Sequence, residues 1–366
     1  MNIKWTILCL TFSSIISFSS LFASNKDVKV DSVAPLSISG QVDAFFKANS
    51  NGYTPTTGYG KTSYTGQNGF GLGMANIAFA KDNGKIGFVA DVMFGTRAEE
   101  TNYNYSGSAA FLKQLYVTYK PVDALKFTIG NFMTYFGYEL VEASNNLNYS
   151  MSYCYTNGPF FHTGLKVDYA VTSKLGVMAG IFSQTDTKGV WGINNPSLAT
   201  TGKKFVGGQV SYLDGAFKIY LNALTGSRPD SVSTTTLDLT TSYQVTPELG
   251  LGLNVLSYSE SYKGKSSAFL GTALYVNYAF APSFTLAARG EIFSDKDGLK
   301  YKLFDDTPIS DNSITAFTLS GNFKIDAFTI IPEVRIESAG KKIWQDDKGV
   351  GQTSETSFIL AAIYKF

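Results

Sequence analysis

Ionisable side chains fall on the polar phase of stretches in which polar and apolar residues alternate. Asp91, Lys126, Lys166, Asp168, Lys218, Arg289, Glu291, Glu333 and Arg335 all occupy such positions. Charges of both signs on one wall of a strand set up a field across the space that the wall faces. They bias which solutes pass if that space is aqueous; otherwise they pair across the wall or are simply solvated. Glu139 and Glu142 stand apart, amid Tyr and Asn in a stretch without alternation. Chemistry of other kinds finds few residues to work with. His162 is the single histidine, beside the Gly158-Pro159 turn, and a hydrolytic role requires a nucleophile and an orienting partner as well. One histidine and two cysteines, Cys9 and Cys154, do not make a zinc site. Asp295-Lys296-Asp297-Gly298 begins like a calcium loop but lacks the later Glu. Asp305, Asp306, Asp346 and Asp347 bind divalent ions weakly or are solvated. The chain is expected to be no enzyme, with no catalytic residue, no metal and no cofactor.

The elements that position these residues are strands. Leu36, Ile38, Val42, Ala44 and Phe46 share one phase, and Ser37, Ser39, Gln41, Asp43 and Lys47 the other. The same period of two recurs from Ile86 to Phe94, Gln114 to Tyr119, Phe161 to Tyr169, Leu237 to Gln244, Phe284 to Ile292 and Phe358 to Phe366. Seven short connections separate them, at 81–84, 121–124, 170–174, 213–215, 245–248, 281–283 and 325–327, most with Gly, Pro, Asp or Asn. Between these fall eight longer polar stretches, near 48–68, 96–110, 132–158, 183–204, 225–235, 257–267, 294–313 and 338–355. Short and long alternate, which places all turns at one rim and all loops at the other. Transmembrane barrels are built this way, with short periplasmic turns and long outer loops. The expected fold is therefore all-β: an antiparallel up-and-down transmembrane barrel of about 16 strands, with both termini periplasmic.

The apolar phase carries its own signal. Phe79, Tyr119, Tyr169, Tyr212, Phe217, Tyr243, Tyr278, Phe284, Phe323, Phe328, Tyr364 and Phe366 sit beside the short turns. Such rings favour the membrane–water boundary, and a row of them at one rim is a barrel girdle. Three places fit less well. Gly69–Ala80 changes parity, which a bulge near Met74 repairs. Pro332 lies inside a strand. Lys113 falls on the apolar phase, where it is expected to snorkel to the interface.

Composition agrees with an exported membrane protein. Charged residues are 16% of the chain, against roughly 25% in soluble domains. Net charge is +1, so no basic field suggests nucleic acid. Residues 1–24 read as a signal peptide: Lys4, an apolar Ser-rich core, then Leu21-Phe22-Ala23-Ser24. Residues 25–35 are a polar periplasmic leader, and 36–366 form the single barrel. Export through the inner membrane to the bacterial outer membrane follows.

The stretch Gly130-Asn131-Phe132, Tyr135-Phe136-Gly137-Tyr138-Glu139, Asn148-Tyr149-Ser150 and Gly158-Pro159-Phe160-Phe161-His162-Thr163-Gly164 resembles the OmpL-like β-barrel porin family of Bacteroidota-type bacteria. Val117-Thr118-Tyr119-Lys120-Pro121 and Leu125-Lys126-Phe127 are similar to the same family's hairpin. The resemblance implies an outer-membrane porin-like channel. By analogy with porins, loop 132–158 folds into the lumen, where Glu139 and Glu142 form an acidic constriction opposite Lys166, Arg289 or Arg335; alternatively it packs against the wall or makes a trimer contact.

The expected function is passive diffusion of small hydrophilic solutes through an aqueous lumen, which sixteen strands are wide enough to leave. A barrel that only anchors loops for adhesion or recognition, with Tyr53, Tyr59 and Tyr64 in the first loop, is the alternative. The implied partners are outer-membrane lipids, the solutes, the barrel-assembly machinery through the last strand ending in Phe366, and a second and third copy in a homotrimer.

Overall fold

The computed structural model describes residues 35–52, 62–102, 107–188, 203–228, 230–301 and 309–366. The expected signal peptide, all but the end of the leader, and Tyr53, Tyr59, Asp305 and Asp306 lie outside the described residues.

Period-two segments fold as strands because each buries one face and offers the other to a different solvent. Among the described residues sixteen strands form the barrel: β1 (Ser37–Asn49), β2 (Gly69–Asp82), β3 (Ile86–Phe94), β4 (Leu112–Val122), β5 (Leu125–Met133), β6 (Phe161–Ala170), β7 (Leu175–Phe182), β8 (Phe205–Asp214), β9 (Phe217–Ser227), β10 (Ser233–Gln244), β11 (Leu249–Tyr262), β12 (Lys265–Ala281), β13 (Phe284–Asp295), β14 (Asn312–Ile325), β15 (Phe328–Ala339) and β16 (Ser354–Lys365). Each pairs antiparallel with the next, and β16 closes on β1 from Gln41↔Lys365 to Asn49↔Ser357. Closure leaves no unpaired edge, the condition for placing a sheet in hydrocarbon. Two short helices, α1 (Thr96–Thr101) and α2 (Tyr153–Asn157), lie in the second and third loops.

The outer face is a belt of exposed Leu, Ile, Val and Phe around the whole barrel, including Leu115, Ile129, Val206, Leu221, Leu274, Phe317 and Leu360. A continuous apolar surface of this kind is tolerated in lipid and not in water. The girdle residues face outward as the sequence indicates, with Tyr119, Tyr169, Tyr243, Tyr278, Phe323, Tyr364 and Phe366 all exposed.

The irregular places resolve as bulges. Asp43 faces both Gly73 and Met74, because the register of β1 and β2 shifts between Val42 and Ala44. Leu72 then points outward on one side of the shift and Ile77 on the other. The pairing of β15 with β14 breaks opposite Ile331 and Pro332, resuming at Ser320↔Glu333, so the ring nitrogen meets no acceptor it has to serve.

Two expectations are corrected. Residues 257–267 are not a long loop: β11 and β12 pair without interruption up to Tyr262↔Lys265 and turn on Lys263 and Gly264 alone. Both turn residues have positive φ, 48° and 81°, the left-handed pair of a tight hairpin. The polarity of Ser257–Tyr262 marks strand standing above the bilayer, not loop. Lys113 does not reach toward lipid. Gln114 pairs with Asp91 and Leu112 with Val92, so Lys113 is the extra residue of a bulge that turns it inward, where it is buried.

Candidate functional site

The inner wall is built by the second phase of each strand, and a long loop lies against it. Residues 134–160, the third loop, run inside the barrel. Within this loop Val141, Ala143, Tyr149, Ser150, Met151 and Ser152 are each at most 1% exposed. They have no period that local structure could satisfy, so their backbone groups must find partners on the wall.

Wall carboxylates supply many of these partners. Glu333 on β15 accepts from the backbone N–H of Tyr149 (2.7 Å) and Ser150 (3.1 Å) and from the Ser320 hydroxyl on β14 (2.7 Å). Glu291 on β13 accepts from Tyr153 N–H (2.7 Å). Asp238 on β10 accepts from Gly137 N–H (3.1 Å), Asn222 Nδ2 (2.7 Å) and Asn254 Nδ2. Asp43 accepts from the Tyr149 hydroxyl (2.6 Å) and faces Arg97 of α1 across 3.6 Å. The Tyr135 hydroxyl donates to Ala223 O on β9 (3.0 Å), and Tyr138 stacks on Tyr275 of β12 with centroids 4.1 Å apart. The loop thus touches the wall from β9 round to β1.

A charge ladder crosses the middle. Arg289 on β13 pairs with Glu139 of the loop and with Glu291 (2.8 Å), and it donates to Ser150 O (2.6 Å). Arg335 on β15 pairs with Glu291 (2.6 Å) and Glu337 (2.9 Å). Arg289 and Arg335 both face Thr318, on the strand between them. The planar guanidinium suits such forked contacts. Glu142 pairs with Lys113, which also holds Asp91 at 2.6 Å. Lys113→Ala leaves two carboxylates without that cation; the expected loss is about 3 kcal/mol of stability, read as a lower urea midpoint of the folded barrel.

The wall makes room for the loop with glycines. A Cβ at Gly73 would lie 2.7 Å from the Tyr149 hydroxyl, at Gly207 2.0 Å from that of Tyr135, at Gly252 2.5 Å from the Tyr138 ring, and at Gly271 2.9 Å from Cys154 Sγ. Gly207, Gly252 and Gly271 are each a socket for one loop side chain, and the space at Gly73 is shared by Tyr149 with Asp43 of β1. Beyond the loop end, Asp186 accepts from Phe160 N–H (2.7 Å) and Phe161 N–H (3.1 Å), and burial pushes its carboxyl up to about 6.

The residues singled out in the sequence divide into two sets. Arg289, Glu291, Arg335, Glu333, Glu139, Glu142 and Asp91 converge on the loop and are held in its anchoring network. Lys126, Lys166 and Asp168 gather beneath it, with Asp168 receiving Lys166 at 2.9 Å and Lys126 at 3.8 Å. Lys218 faces the lumen on β9, next to the periplasmic rim. Of the expected constriction pair, Glu139 meets Arg289, one of the cations named for it, while Glu142 meets Lys113 instead. His162 faces inward and is buried, its Nε2 3.0 Å from Thr134 Oγ1.

Sequence reasoning missed Asp43, Arg97, Lys113 and Asp238 as anchors, and the glycine sockets as a set. Asp43 and Asp238 were visible on the polar phase, and Lys113 by its wrong phase. It also missed the apolar inner positions. Phe45, Met93, Phe182, Leu256, Phe269, Phe293, Ile331 and Ile359 are buried inside, packed against the loop and each other, rather than lining water.

A closed antiparallel barrel with a lipid-facing belt and a third loop folded into its lumen defines a porin-type protein of the outer membrane. The family described as "Putative beta-barrel porin-2, OmpL-like" matches residues 35–366, and the chain belongs to it. Solved structures with the same fold include an anion-selective porin from Comamonas acidovorans (11% identity, 91% of this chain and 100% of that one, TM-score 0.61). The outer membrane channel DcaP of Acinetobacter baumannii is 12% identical over 93% of this chain and 99% of its own, at TM-score 0.58. The trimer form of OmpT, an outer membrane protein of Vibrio cholerae, is 13% identical over 92% and 100%, at TM-score 0.57. No curated protein matches the chain in sequence.

Proposed function

We propose that the protein is a passive channel for small hydrophilic solutes, whose third loop closes the lumen at rest and opens it by shifting against the wall. The observation that carries this reading is the path of residues 134–160, inside the barrel and fastened by hydrogen bonds and ion pairs as well as by apolar packing. Such contacts can be exchanged for water when the loop moves, at a net cost of about 0.5–1.5 kcal/mol each. A loop that served only adhesion has no reason to fill the lumen. Purified protein in a planar bilayer is expected to show discrete conductance steps, with liposome swelling in small sugars but not in large ones. A barrel silent at all voltages and impermeable to every sugar would remove this reading.

The same proposal includes the route and the assembly. Residues 1–24 direct export, and β16 with its terminal Phe366 is the segment read by the assembly machinery, so a chain lacking Phe366 should accumulate unfolded in the periplasm. Three copies associate through their outer walls, as the trimer form of the Vibrio protein suggests. A heat-stable oligomer in detergent supports this, and exclusively monomeric migration contradicts it.

A further inference from the structure

We infer that the periplasmic half of the lumen is an anion-collecting vestibule, built to hold small multivalent anions such as phosphate esters or carboxylates beneath the loop. Transport of those anions rests on the channel reading above; their binding does not.

The inference comes from how the inward charges are sorted by depth. Lys120, Lys126, Lys166, Lys218, Lys324 and Lys365 stand on the inner phase of β4, β5, β6, β9, β14 and β16, and all are half-buried or exposed. Lys166 stands at mid-strand, and each of the others lies near the short-turn end of its strand. The carboxylates that share the inner wall are sequestered instead: Asp43, Asp91, Asp168, Asp238, Glu291 and Glu333 are all buried. Asp91 is taken up by Lys113, Asp238 and Glu333 by hydrogen-bond donors, Glu291 by two arginines. Apart from Asp168, which lies among the lysines, their charge is turned into the wall and the loop, away from the space below.

Few acids offset the lysines from within. Asp168 serves Lys126 and Lys166 together, and Asp82 pairs with Lys120 at 2.9 Å at the rim. Glu142, on the loop's underside, is bound to Lys113. Among the described residues the remaining rim carboxylates, Asp123, Asp214, Glu248 and Asp326, sit on turns or strand ends at the mouth, and Asp214 is paired with Lys174 at 2.8 Å. A ring of cations inside low-dielectric walls focuses its field on the enclosed water. Screening at physiological salt extends only about 8 Å, so anions are drawn once inside the mouth and not from bulk. Asn145 and Tyr135 on the loop, and Gln209 on the wall, add neutral polar groups: Lys365 Nζ donates to Asn145 Oδ1 at 3.1 Å and Gln209 Nε2 to Tyr135 O at 3.3 Å.

The test uses full-length folded protein in neutral detergent at low salt, with 8-hydroxypyrene-1,3,6-trisulfonate as probe and fluorescence anisotropy as readout. Saturable binding is expected, displaced by inorganic phosphate and by rising salt. Lys126→Gln, Lys166→Gln and Lys218→Gln combined should weaken it about tenfold or more, because three cations are removed from the enclosed site. The Lys→Arg triple variant should bind normally, which separates charge from folding; should the Gln triple fail to fold, each single Lys→Gln change should weaken binding measurably. Absence of saturable binding, or binding indifferent to these variants, overturns the inference. In bilayers under a salt gradient the reversal potential should carry the sign of anion preference. A silent barrel that still binds the probe would sink the channel reading and leave the vestibule standing; a conducting barrel with cation preference and no probe binding would do the reverse.

Discussion

Arg289→Met is expected to convert a mostly closed channel into a mostly open one. Arg289 is fully buried and binds Glu139, Glu291 and the Ser150 carbonyl at once. Methionine fills much of the volume and supplies none of the donors. Glu139 then keeps only the Ser152 N–H (2.7 Å) among these anchors. Removing one partner of a buried ion pair costs about 3–5 kcal/mol. That cost falls on the state with the loop seated, because a displaced loop carries Glu139 into water. Since about 1.4 kcal/mol is a factor of ten, the ratio of seated to displaced loop should fall by roughly two to four powers of ten. Single-channel recording should show long open dwell times in place of brief ones, while the heat-modifiable migration of the folded barrel persists. Arg289→Lys keeps the charge without the fork and should fall between. Unchanged open probability in Arg289→Met would mean that the network does not hold the loop.

Gly252→Leu should expel the loop from the wall at β11. The socket at Gly252 is a matter of space, since a Cβ there would already overlap the Tyr138 ring. Leucine must push Tyr138 off Tyr275 and strain the Gly137–Asp238 hydrogen bond. Overpacking of this kind costs about 1–3 kcal/mol. Cys154 offers a clean readout, because it is buried on the same loop against Gly271 of β12. Its alkylation by a maleimide in the folded protein should speed up by about tenfold. Gly207→Leu, against Tyr135, should act in the same direction. An alkylation rate equal to that of the unaltered protein would show that the loop tolerates the intrusion.

The barrel was legible because its information is local. A strand's partner lies one turn away, and a period of two states which side of the wall each residue faces. The same rule explains the errors. Lys113 broke the period, and a bulge rather than a snorkelling chain was the cause. Ser257–Tyr262 kept strand geometry while losing apolarity, because a strand that rises above lipid has water on both faces. The lumen was legible only in part. Its anchors join Gly137 to Asp238 and Tyr149 to Glu333, residues about a hundred or more apart, and no local pattern records such pairings. Phe45, Ile331 and Ile359 stand on the inner phase, where a water-filled pore calls for polar residues. They were the available sign that part of the inner space is packed, and that several of the charges around it bind a loop.

In the proposed channel, residues 134–160 must move for solute to pass. Cys154 makes this directly testable, since a Cβ at position 271 would lie 2.9 Å from its Sγ, within the reach of a disulfide. Gly271→Cys, oxidised, should tether the loop to β12 and give a silent barrel in planar bilayers. Reduction with dithiothreitol in the same membrane should restore the conductance steps. Equal conductance before and after reduction, with the disulfide verified by mass spectrometry, would contradict the claim.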